Sequence, residues 1–131
     1  MNDAVREWVA KAEGDFEAAR ELAAARQPKH DAICFHAQQC VEKLLKAVLV
    51  QVGIAPPHTH DLLKLHKLVG AALPAWKCET KELRFLTRGS VAFRYPGESA
   101  TSAHSSAALS ICTRLRERLL KLIEDQPDAY R

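Results

Sequence analysis

The sequence predicts an all-α protein, an up-and-down antiparallel bundle of four to five helices. Three observations carry this reading. Aromatic residues make up 6% of the 131-residue chain, so its apolar side chains are mostly the strong helix formers Ala and Leu. Apolar residues recur at three- and four-residue steps through most of the sequence. No alternating β-branched run and no Asn-Gly or Asp-Gly hairpin turn interrupts them. A chain of this length that is 47% hydrophobic and 27% charged is expected to form one domain over residues 1–131. It can bury a core without disulfides or metal, and its composition excludes disordered and collagen-like classes.

The first helix is expected from about Asn2 to Arg26. Val5, Trp8, Ala12, Phe16, Ala19 and Leu22 form its apolar stripe, Asn2 or Asp3 caps it, and Gln27-Pro28 stops it. A second helix spans about Asp31 to Val52, with Ile33, Ala37, Val41, Leu44, Leu45 and Val48 facing inward. Gly53 and then Pro56-Pro57 terminate it. Thr59 or Asp61 caps a third helix that reaches about Ala72 and turns Leu62, Leu65, Leu68 and Val69 inward. His66 falls on its polar side, where solvent is expected. A fourth, shorter helix covers about Thr80 to Val91 with Leu83 and Leu86 buried. Phe93-Arg94-Tyr95-Pro96-Gly97-Glu98 reads as a turn, because Pro96 biases Tyr95 towards an extended backbone. Ser99, Thr101 or Ser102 caps the last helix, whose stripe of Ala108, Ile111, Leu115, Leu119 and Leu122 runs to about Glu124.

The formal charge is +3 and the sequence pI about 8.7. That balance permits a nucleotide or RNA partner without requiring one. Cations gather between Lys77 and Arg94, and again between Arg114 and Lys121. Cys34, Cys40, Cys78 and Cys112 form no Cys-x-x-Cys pair. They read as reduced, mostly buried thiols of a cytoplasmic protein. The polar start MNDAVREW does not look like a signal peptide. The longest apolar run, Ala47–Val50, is far short of the ~20 residues of a membrane span, so no membrane association is expected.

Three constellations carry chemistry. Gln38, Glu42 and Lys46 stand at four-residue steps on one side of the second helix. They form either a solvated face with a Glu42–Lys46 pair or a polar ridge lining a groove. His58-Thr59-His60-Asp61 has two histidines and an acid but no third ligand at a recognisable spacing. It reads as a capping segment in which His60 packs on the bundle end, and no metal or cofactor is expected. Arg84, Arg88 and Arg94 with Tyr95 form the densest cationic spot beside an aromatic, suited to phosphate and base. His104 follows as a candidate acid or base. No P-loop, Rossmann glycines, nucleophile elbow or HExxH occurs.

In order, Trp8…Asp15 with Ala18-Ala19, Phe35-His36-Ala37-Gln38-Gln39 running into Glu42-Lys43-Leu44-Leu45-Lys46-Ala47, Thr59-His60-Asp61-Leu62 and Arg94-Tyr95-Pro96 resemble the HEPN domain (higher eukaryotes and prokaryotes nucleotide-binding) over nearly the whole chain. The resemblance implies a helical bundle that usually dimerises, often beside a minimal nucleotidyltransferase with which it forms a toxin–antitoxin pair. It also implies, for many members, metal-independent RNase activity through an Arg followed four to six residues later by a His. Here Arg94 matches the arginine, but nine residues separate it from His104. The expectation is therefore a nucleotide- or RNA-binding homodimer without an intact RNase motif, using Gln38, Glu42, Lys46, His60, Arg88, Arg94 and Tyr95. The alternatives are an active endoribonuclease using Arg94 and His104, or a non-catalytic partner bundle. A partner could also modify Tyr95.

Overall fold

The second helix has apolar residues on more than one face, so it can be satisfied only by neighbours on several sides. The computed structural model, which describes residues 1–129, places it there. Helix α1 covers Asp3–Ala24, α2 His30–Gln51, α3 Leu62–Ala72, α4 Thr80–Ala92 and α5 Ser102–Asp125. Helix α2 packs against the four others, most extensively α1 and α5. No strand occurs among the described residues. Leu44, Leu45, Val48 and Leu49 of α2 meet Leu65 of α3, Leu83 and Leu86 of α4, and Leu115 and Leu119 of α5 in one core. Among the described residues, no helix is long and apolar enough to cross a membrane.

The helix ends follow the sequence signals closely. Asn2 caps α1, its side-chain oxygen accepting from the Val5 amide at 2.9 Å. Helix α1 ends at Ala24, two residues before the expected Arg26. At the end of α2, Gly53 takes φ +84°, which a residue with a Cβ rarely adopts. The Gly53 and Ile54 amides then donate back to the carbonyls of Val50 and Leu49, closing a Schellman motif. Asp61 caps α3 by accepting from Leu63 N–H, and the Thr59 hydroxyl accepts from the Asp61 amide. Thr101 caps α5.

Two local expectations are corrected. His66 is not a solvated residue. Its Nδ1 accepts the indole N–H of Trp76 at 3.0 Å, and the Cys78 thiol lies 3.5 Å from the same nitrogen. Trp76, in the connection between α3 and α4, is 7% exposed and belongs to the core, with the Arg118 guanidinium over its ring. The face bearing Gln38, Glu42 and Lys46 is not solvated either: all three side chains are buried.

Candidate functional site

The buried polar row begins from helix geometry. Gln38, Glu42 and Lys46 succeed one another at one turn each, so their side chains can bond in series. Gln38 Nε2 donates to Glu42 Oε1 at 3.1 Å, and Lys46 Nζ donates to Glu42 Oε2 at 3.2 Å. His60 Nδ1 lies 3.0 Å from Glu42 Oε1, while Gln38 also donates to the His60 carbonyl. The His60 side chain is 79% exposed, so it leans on the bundle rather than packing under it. Trp8 of α1 covers the Lys46 ammonium at 5.6 Å. On the next side of α2, Asp15 of α1 holds both His36 and Lys43. These groups are bonded to one another, so a carboxylate buried to 3% exposure carries its charge beside a cation and several donors.

The second assembly lies at the corner where α4 turns into α5. Gly97, at φ +106°, lets the chain reverse between the two helices. A cavity of about 550 Å³ opens there. Phe85 and Arg88 of α4, Phe93, Glu98 and Ser99 of the turn, Cys34 of α2 and His104 of α5 all line it. His104 occupies the third position of α5 and completes a reciprocal cap. Thr101 Oγ1 accepts the His104 amide at 3.1 Å, and His104 Nδ1 accepts the Thr101 amide at 3.3 Å. With Nδ1 an acceptor, the neutral ring carries its proton on Nε2. Its faces pack against Phe93 at 5.3 Å and Phe85 at 6.2 Å between ring centres. The amino end of α5, with its positive dipole, also points towards this corner.

Arg94 and Tyr95 sit on the turn and are exposed. The Arg94 guanidinium stacks 5.0 Å from the centre of the Phe35 ring on α2. The structure thus brings Arg88 and His104 into one cavity, with Arg94 and Tyr95 on the turn beside it. It gathers Gln38, Glu42, Lys46 and His60 into a separate internal network. Phe85, Phe93 and Glu98 were missing from the sequence reading of the site. Their signal was adjacency in sequence to Arg84, Arg88 and Arg94, but only the chain reversal at Gly97 makes them face His104.

The thiols are chemically quiet. All four cysteines are free. Burial, helped by Asp31, pushes the Cys34 thiol up to about 11. Cys40 is pushed up by its hydrogen bond to Cys112 and by burial. Burial raises Cys78 as well, and burial lowers His66. No group of three or more His, Cys, Asp or Glu side chains is placed to hold a metal ion among the described residues.

Comparison with known proteins adds the family. The chain is similar in fold to TT1696 from Thermus thermophilus, with a TM-score of 0.78 and 18% identity over 92% of this chain and 99% of that one. It is also similar to ST0689, an archaeal HEPN homologue, with a TM-score of 0.66 and 22% identity over 91% and 97% of the two chains. No curated protein matches in sequence. The family model described as the HEPN domain matches residues 5–124, nearly the whole helical bundle, and the chain belongs to the HEPN domain family.

Proposed function

We propose that this chain is a nucleotide- or RNA-binding module, that it works as a cytoplasmic homodimer, and that it acts with a minimal nucleotidyltransferase in a toxin–antitoxin type pair. The dimer and the partner are carried over from what the family resemblance implies. The ligand class is supported by one observation, the cavity of about 550 Å³ at the α4–α5 corner, a volume typical of small-molecule sites. Its chemistry is divided in a way that suits a nucleotide. Arg88 supplies a planar cation for phosphate, and the α5 amino end adds its dipole. Phe85 and Phe93 supply ring faces for a base. Glu98 repels phosphate from its own side and offers an acceptor to a ribose hydroxyl or an exocyclic amine. Arg94 and Tyr95 extend the site along the turn. Gln38, Glu42, Lys46 and His60 support it by holding α2 and the α2–α3 connection in place.

The test is titration with AMP and with a short single-stranded RNA. A lost charge-assisted contact contributes roughly 1.5–3 kcal/mol, so Arg88→Ala or Arg94→Ala should weaken binding by about ten- to a hundredfold. Wild-type affinity in both variants would defeat the reading. A second reading, a metal-independent endoribonuclease, is favoured by one observation: the His104 ring lines the same cavity, and Nδ1 is the nitrogen engaged in the cap. It requires RNA cleavage in EDTA that His104→Gln abolishes. Gln at this position can still close the cap, so loss of activity would not reflect an unfolded helix end.

A further inference from the structure

Lys81, Arg84 and Arg88 recur at three- and four-residue steps along α4, on one side of the helix. A groove of about 590 Å³ runs beside them, between α4 and the first turn of α3. Its aliphatic floor comes from Leu63, Val91 and Ala92, and its one lining acid, Asp61, is engaged as the cap of α3, accepting from the Leu63 amide, so the three cations outnumber it. Val91 is 54% exposed, unlike the other aliphatic residues of α4. The three cations make no ion pair or hydrogen bond among the described residues. Arg6, Arg114 and Arg116, by contrast, pair with Asp3, Glu82 and Glu13. Like charges one turn apart repel and weaken a helix, so α4 carries an electrostatic cost that an anionic partner would relieve.

We propose that this groove docks an acidic amphipathic helix of another protein. Its apolar row would cover Leu63, Val91 and Ala92, and its flanking carboxylates would meet Lys81, Arg84 and Arg88. Charge complementarity selects that occupant. A second copy of this chain fits less well. The exposed face of α1 interleaves Glu7, Glu17 and Glu21 with Arg6, Lys11 and Arg20, so it offers no purely acidic rim. A single nucleic-acid strand needs a series of rings on which successive bases stack, and the groove offers one, Phe85. The docking face is distinct from the proposed nucleotide cavity and shares only α4 residues with it, Arg88 among them.

The experiment is selection of displayed random peptides of about 15 residues, long enough to form helices, on the full chain. A Lys81→Glu/Arg84→Glu double variant serves for counter-selection. Enriched peptides should carry Asp and Glu flanking an apolar stripe. The best of them, followed by fluorescence anisotropy, should bind at least tenfold more weakly to the double variant and to Val91→Asp, and more weakly as salt rises. All three positions are exposed, so the helical circular dichroism should be unchanged, and AMP binding should be retained. Selection that returns no acidic amphipathic pattern, or peptides that bind all variants equally, overturns the proposal. So does a wild-type dimer that Val91→Asp converts to monomer in light scattering, which assigns the groove to a second copy. Loss of oligouridine binding in the double variant, with AMP binding intact, assigns it instead to nucleic acid.

Discussion

Replacing Glu42 by Met tests whether the α2 network is held by its central ion pair. The Glu42 and Lys46 side chains are 3% and 9% exposed, and their charged atoms are 3.2 Å apart. Without Glu42, the Lys46 ammonium stays buried with the Trp8 ring as its only described neighbour of opposite character. Leaving one member of a buried pair costs about 3–5 kcal/mol. With m near 2 kcal/mol/M in urea, the unfolding midpoint should fall by about 1.5–2.5 M. That is survivable for a domain stable by about 5–15 kcal/mol. Lys46→Met should cost less, about 1.5–3 kcal/mol, because the carboxylate keeps Gln38, Gln39 and His60 as neighbours. The double Met variant removes both charges and should unfold within about 1 kcal/mol of the wild type. Circular dichroism at the helical minimum reads all three midpoints. A double variant whose loss equals the sum of the singles would refute the coupling. A single Glu42→Met that unfolds with the wild type would refute the burial argument itself. If the stable double variant also binds AMP as the wild type does, the row is scaffold; lost binding would place it in the site.

Further outcomes follow from the burial of Thr87, His66 and Cys34. The Thr87 hydroxyl is buried with no hydrogen-bond partner among the described residues, so the isosteric Thr87→Val should raise thermal stability by about 1 kcal/mol; a lowered melting temperature would contradict this. Burial lowers His66 from 6.5, so the unfolded chain takes up that proton first, and stability is lost as pH falls through and below this value. His66→Gln keeps an acceptor for the Trp76 indole and should flatten that part of the pH profile; identical acid slopes would defeat the assignment. With its thiol held near 11, Cys34 should resist an aromatic disulfide reagent at about pH 8 in the native protein and react on unfolding. The same shift makes Cys34 stabilising below 9.0, and that contribution is lost between 9.0 and about 11, so Cys34→Ala should lessen the alkaline fall in stability.

The helices were legible because their cause is local. Caps at Asn2, Asp61 and Thr101 and the stop at Gly53 depend on side chains within a few residues, and these signals placed the ends to within one or two positions. At the α4–α5 corner Arg88, Arg94, Tyr95 and His104 were legible in the sequence, whereas Phe85, Phe93 and Glu98 were not. The burial of Glu42 could not be read from α2 alone, since a Glu–Lys pair at four residues is also what a solvated face carries. It becomes buried because Trp8 and the His60 segment close over it from α1 and the α2–α3 connection. His66 was misjudged for the same reason. Its partner Trp76 lies in a connection without periodicity, and only the tertiary fold brings the indole to the imidazole.

The position of Arg88 ties the two proposed surfaces together. It lines both the α4–α5 cavity and the α3–α4 groove, as do Phe85 and Ala92. One guanidinium cannot hold a phosphate bidentately on one side of α4 and a partner's carboxylate on the other. If a nucleotide takes Arg88, the acidic helix loses one of its three cations. By thermodynamic reciprocity, the docked helix must then weaken the nucleotide by the same factor. The expected antagonism is about tenfold, the equivalent of one charge-assisted contact. Lys81 and Arg84 line only the groove, so they should set the affinity of the helix without entering this coupling. Arg88→Ala should therefore weaken both ligands and abolish their antagonism, whereas Arg84→Ala should weaken the helix alone and leave the antagonism in place.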